Sequence, residues 1–203
     1  MRSYVSSCAF LILKRMKKSF NWKNLIFIVV LVLLIIPQTR QPIQVMVNKV
    51  KMMVFSPSAF AKADQIQLQP FNYSLTSLDG DTVSAPIGQG EVTFMSYWAT
   101  WCPPCIAEMP SIQELYNDYG DRVDFALITS EDAEVVKAFL QKKGYNLPVF
   151  IPAQETPKPL YESSIPTNYI IDKEGNIVIK EQGAQDWNSD SVRKTLDKLL
   201  SSE

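Results

Sequence analysis

Histidine is missing altogether and cysteine is scarce, with three in 203 residues. Without histidine the chain lacks the commonest general base near neutral pH and the commonest ligand of zinc and copper. Three cysteines cannot build a disulfide framework. Acid is absent from the first 63 residues, which hold 10 of the 20 basic side chains, whereas all 21 acidic residues lie at or after Asp64. A near-neutral total therefore conceals two parts of about +10 and −11. Two solvated surfaces of opposite sign would account for the charges alone. An apolar run inside the basic part fits membrane targeting better than nucleic-acid binding. Internal repeats and low-complexity segments are also absent.

The apolar run covers residues 25–36, twelve in a row, preceded by Lys14, Arg15, Lys17, Lys18 and Lys23. Twelve helical residues reach only about 18 Å, short of a bilayer core of about 30 Å, so a span must draw on Phe20, Trp22 or residues after Pro37. The length also suits a signal-peptide core or a buried helix. No Ala-x-Ala site follows closely, and the first candidate, Ala59-Phe60-Ala61, lies more than twenty residues downstream. The expectation is an uncleaved signal anchor over residues 25–40. Residues 1–24 would then be cytoplasmic and the rest of the chain outside. Cys8 lies before the anchor with no partner at useful spacing, an inert thiol.

Residues 41–63 form a juxtamembrane linker. Apolar side chains at 43, 46, 47, 50, 53 and 54 have helical spacing, with Asn48, Lys49 and Lys51 among the rest. An amphipathic helix on the membrane surface and a loosely ordered tether both satisfy that pattern.

The globular part runs from 64 to 203, organised around Trp98-Ala99-Thr100-Trp101-Cys102-Pro103-Pro104-Cys105. A β-rich run over 92–98 precedes the cysteines and a helical pattern over 106–119 follows, which sets the pair at a strand-to-helix turn. There, unpaired N–H groups and the positive dipole end favour a thiolate. Cys102 falls at the N-cap and Pro103 at the first helical position. Cys105 follows one turn later on the same side, near enough to close a small disulfide ring. Cys102 is thus the nucleophile and Cys105 the resolving thiol.

Around this motif the pattern predicts a hairpin over 71–78 and 82–85 about Asp79-Gly80, and a buried strand over 123–129. A helix follows with an acidic start at Glu131, Asp132 and Glu134 and a stop at Gly144. A short strand at 149–151, a hairpin of 169–172 with 177–180, and a last helix from Ser189 or Asp190 complete the order. Pro110 should kink the helix after the cysteines.

With Cys102 and Cys105 heading the first helix and Ile165-Pro166-Thr167 entering the terminal hairpin, residues 65–203 resemble the thioredoxin superfamily. The run WATWCPPCIAEMP, Glu108 three residues past Cys105, the anchor and the acidic domain resemble its membrane-tethered TlpA/ResA/CcmG-type members. The resemblance implies an α/β, thioredoxin-like fold: a central mixed β-sheet flanked by helices, carrying an N-terminal transmembrane anchor. It implies a cis Pro166 facing the cysteines and an Ile165 backbone that pairs with the substrate. Trp101, Pro103 and Pro104 complete that contact surface, and Glu108 tunes thiol pKa values or relays protons. One departure stands out: Ser96 occupies the place of the buried Asp that thioredoxins carry, leaving acid-base work to Glu108 or water.

The implied function is a single-pass thiol-disulfide oxidoreductase of the bacterial cytoplasmic membrane, its catalytic domain on the extracytoplasmic side. It would reduce disulfides in exported proteins, apocytochrome c among them, with electrons from a CcdA/DsbD-like membrane donor and no cofactor. A disulfide-forming oxidase remains open. A metal-binding chaperone of the same fold is disfavoured by the missing histidine, and a zinc site by the missing second cysteine pair. Glu108 as a helix-surface carboxylate, and Trp101 as a rim residue, are the alternatives to these roles. Pro103 and Pro104 favour the reductase, because neither offers a backbone N–H to a Cys102 thiolate.

Overall fold

The apolar run forms a helix, α1 (Trp22–Ile35), whose 14 residues are uniformly hydrophobic from Leu25 onward. The structure, a computed structural model, describes residues 22–52, 56–161 and 163–201. Cys8 and the basic residues 14–18 lie outside these, as do the apolar positions 53 and 54. Among the described residues no helix is long and apolar enough to cross a membrane. A second helix, α2 (Pro37–Met52), starts six residues before the expected 43 because Pro37 opens it and Pro42 is accommodated within it.

The chain divides into two compact units, one ending at Ile43 and one beginning at Gln44. Part of the expected linker therefore folds with the globular part. Met52 shares a small buried cluster with Ala107 and Ala184, the Phe60 N–H donates to the Val178 carbonyl at 2.8 Å, and Ser191 Oγ donates to the Pro57 carbonyl at 2.7 Å.

In the second unit the strands are β1 (Ile66–Gln67), β2 (Phe71–Ser77), β3 (Thr82–Ile87), β4 (Thr93–Tyr97), β5 (Asp124–Ile128), β6 (Val149–Pro152), β7 (Thr167–Ile171) and β8 (Asn176–Gln182). They make one sheet in the order β1-β8-β7-β4-β5-β6-β2-β3. Strands β4, β5 and β6 run parallel, whereas β7 is antiparallel to β4 and β2 to β6, so the sheet is mixed. The helices are α3 (Pro103–Tyr119), α4 (Ala133–Lys143) and α5 (Asp190–Ser201).

Alternation along β4 assigns the two faces. Phe94, with Trp98 beyond the strand end, joins Ile112 and Leu115 of α3, Val136 of α4 and Leu196 of α5 in the larger core. Met95 joins Tyr73, Leu75 and Ile87 of the first hairpin, with Tyr169 and Ile171 of β7. Each boundary has a local cause. Asp132 caps α4 by accepting the Glu134 N–H at 2.9 Å, and Gly144 ends it in the left-handed conformation at φ 72°. Helix α3 continues through Pro110. The sequence pattern does not include β1, only two residues long, or the first turns of α2.

Candidate active site

Strand β4 ends in the middle of the sheet and its chain turns directly into α3. The Trp98 N–H extends the β4–β5 pairing by donating to the Ile128 carbonyl at 3.0 Å, and the Cys102 N–H donates to the Ala99 carbonyl at 3.2 Å. Cys102 then caps α3 with extended backbone angles, φ −89° and ψ 107°. Its sulfur accepts the Cys105 N–H at 3.3 Å. Pro103 and Pro104 fill the first two helical positions and carry no N–H, so Cys105 contributes the donor nearest the helix start. Cys102 and Cys105 form a disulfide with Cα atoms 5.3 Å apart, and both are buried.

The loop before Cys102 is held from the segment that follows β5. Glu131 accepts the Thr100 N–H at 2.6 Å on Oε2 and the Thr100 hydroxyl at 2.7 Å on Oε1. Its own N–H donates to Thr129 Oγ1 at 3.4 Å. The acidic start expected for α4 is therefore divided between roles: Asp132 caps the helix, while Glu131 turns back to clamp the loop.

The terminal hairpin approaches the same place. The Ile165–Pro166 peptide is cis, and Ile165 packs against the buried cluster that contains both cysteines. The Gly183 N–H donates to the Pro166 carbonyl at 2.9 Å, tying this bend to the end of β8. Trp101 stays 65% exposed beside the buried pair, whereas Trp98 is buried against Phe139 with ring centroids 5.7 Å apart.

Glu108 is not a surface carboxylate. It lies one helical turn past Cys105, 1% exposed, and takes three hydrogen bonds. Asn168 Nδ2 donates to Oε1 at 3.0 Å, and Trp187 Nε1 and the Gln185 N–H donate to Oε2 at 3.1 and 3.3 Å. Burial pushes its pKa up from 4.5 to about 8, against the opposing pull of the bonds from Asn168, Trp187 and Gln185. Ser111 locks the arrangement by donating to the Glu108 carbonyl at 2.7 Å and accepting the Trp187 N–H at 3.1 Å. Ser96 is fully buried and pairs in register with Asn168 across β4 and β7. Among the described residues its hydroxyl, Asn168 Oδ1 and Gln185 Oε1 have no hydrogen-bond partner.

Nothing local marks Asn168, Gln185, Trp187 or Glu131 as part of this site. The one available signal is Trp187, since a buried indole N–H calls for an acceptor. Among the described residues no group of three or more cysteine, aspartate or glutamate side chains is arranged to hold a metal ion.

The sequence profile of the redoxin family matches residues 61–200. A thiol-disulfide oxidoreductase named ResA from Bacillus thuringiensis is 30% identical over 131 residues, 62% of this chain and 76% of its own. The sporulation thiol-disulfide oxidoreductase A of Bacillus subtilis is 24% identical over 145 residues, 68% of this chain and 87% of its own. Among solved structures, a DsbF homologue from Corynebacterium diphtheriae superposes with a TM-score of 0.57 at 18% identity, covering 71% of this chain and 94% of that one. StoA from Bacillus subtilis does so at 0.51 and 22%, covering 66% and 98%. These structural likenesses establish the fold, and the disulfide at the head of α3 agrees with the chemistry named for the sequence relatives. The chain belongs to the redoxin family within the thioredoxin superfamily, and it is a ResA-like thiol-disulfide oxidoreductase.

Proposed function

We propose that this oxidoreductase works as a reductase outside the cytoplasmic membrane, tethered by residues 25–40. The observation that carries the direction is the head of α3. Pro103 and Pro104 leave the Cys105 N–H as the donor to Cys102 Sγ, so a Cys102 thiolate receives less stabilisation than two N–H groups would add. A less stabilised thiolate makes a more reducing couple.

In the reduced enzyme the Cys102 thiolate attacks one sulfur of a substrate disulfide. The new Cys102–substrate bond forms as the substrate S–S bond breaks, and the leaving sulfur takes a proton. The Cys105 thiolate then attacks Cys102 Sγ, expels the second substrate thiolate and leaves the Cys102–Cys105 disulfide. The substrate gains two electrons and the enzyme loses two. Glu108, which holds its proton up to about pH 8, is suited to give that proton to the first leaving sulfur and then, as the carboxylate so formed, to take the Cys105 proton. Trp101, Pro103, Pro104, Ile165 and Pro166 form the surface that receives the substrate chain. The basic N-terminus and the apolar helix support the anchor, its 14 residues being lengthened by flanking residues to reach across. Electrons come through the membrane from a CcdA/DsbD-like donor, and exported proteins, including apocytochrome c, are the substrates.

The test is the reduction potential of the full chain in detergent micelles, equilibrated against defined thiol buffers. A reductase lies near or below about −270 mV, and a value near about −120 mV would reverse the direction. Pro104→Ala restores an N–H at the second helical position and is expected to raise the potential by up to about 30 mV.

A further inference from the structure

The part of α2 that folds with the catalytic unit has two sides. At 3.6 residues per turn, Gln44, Val45, Asn48 and Met52 fall on one side of the helix, and all four are buried or half-buried. Met52 clusters with Ala107 and Ala184, and Val45 packs against them. Asn48 Nδ2 donates to the Gln44 carbonyl at 2.8 Å, keeping its polar end within the helix. The opposite side presents Met46, Val47 and Val50, exposed by 69%, 63% and 57%, with exposed Lys49 and Lys51 at its two margins.

An apolar stripe of this kind, opposite a face already packed, needs a second partner. Its chemistry selects one. The lysines stand beside the stripe, where their stems can lie along an apolar phase while the ammonium groups reach an anionic layer. Carboxylates are absent from the first 63 residues, so nothing there repels such a layer. The apolar run of residues 25–36 ends eight residues before Gln44.

We propose that residues 44–52 are a two-sided spacer. Met46, Val47 and Val50 lie in the headgroup region of an anionic bilayer, while Val45 and Met52 hold the catalytic helix on the other side. The inference rests on the membrane-anchor reading and adds to it a fixed seat for the enzyme. Ala107 lies between Cys105 and Glu108 on α3, and Ala184 precedes Gln185, whose N–H reaches Glu108. The flank of the active site therefore rides one helix thickness, about 10 Å, above the lipid. An enzyme seated this way keeps one orientation toward a membrane-embedded thiol donor.

The test uses the full chain in nanodiscs of phosphatidylglycerol or of phosphatidylcholine, doped with a lipid that carries a photoactivatable diazirine at headgroup depth. Crosslinked residues are mapped by mass spectrometry. The expected result is labelling at 46, 47 and 50 but not at 45 or 52, stronger in the anionic discs. It should fall by about tenfold in the Met46→Gln, Val47→Gln, Val50→Gln triple variant, which alters only exposed side chains. Labelling confined to residues 25–36 would overturn the spacer and leave the anchor standing. A chain that does not enter the discs would overturn both.

Discussion

Two glutamates bracket the same pair of cysteines and meet opposite surroundings. Glu108 follows Cys105 by one turn, is buried, and gathers three donors from β7 and the segment after β8. Glu131 holds the residue two places before Cys102, is half-buried in the connection between β5 and α4, and takes both its strong bonds from Thr100. Burial makes the first a carboxyl that keeps its proton to about pH 8. The second acts by geometry, as a bidentate acceptor that fixes the loop. A carboxylate in this site is therefore an acid-base group or a clamp according to solvent access, and its sequence distance from the cysteines does not decide which.

The comparison breaks most widely with pH. Between about 4.5 and 8 the folded protein holds a proton on Glu108 that the unfolded chain has released, so its contribution to stability is greatest below 4.5 and is lost as pH rises toward 8. At about 1.4 kcal/mol per pH unit, that loss is on the order of 5 kcal/mol for a fully buried group. Denaturant unfolding of the wild type and of Glu108→Gln from pH 5 to 9 measures it. The variant is expected to remove this component of the slope, and an unchanged slope would count against the buried titration.

Next in size is Glu108→Ala, which leaves the Asn168, Gln185 and Trp187 donors without an acceptor. A loss of about 3 kcal/mol is expected at pH 6, read from the urea midpoint. Glu131→Ala is expected to cost less, about 1 kcal/mol, because a half-buried Thr100 can turn to water. Its clearer signature is kinetic. Cys102 in the reduced variant should react with iodoacetamide at an altered rate with no change in the pH at which Glu108 titrates. A shift in that titration would mean that the two carboxylates are coupled.

The same contrast divides what was legible in the residues from what was not. The Cys102 cap, the Pro103 start, the strands on either side and the stop at Gly144 are set by neighbours a few positions apart, and each could be located from its pattern. The β-rich run over 92–98 likewise located β4. Glu108 could not be assigned in this way, because its donors lie 60 to 79 residues further along the chain. Glu131 has the pattern of a helix start and departs from it only because Thr100 is brought within reach. The seat of Met52 and Val45 on Ala107 and Ala184 likewise depends on segments far apart in sequence. Local chemistry marks where the cysteines are, whereas tertiary packing supplies the acid beside them.

The most direct measurement is the titration of the Glu108 carboxyl itself, by 13C NMR of the oxidised protein labelled at glutamate side chains, with Glu108→Gln to assign the resonance. A midpoint near pH 8 is expected for a buried acid that holds its proton beside the redox pair. A midpoint near 4.5 would make Glu108 an ordinary carboxylate and contradict its place in the proton transfer.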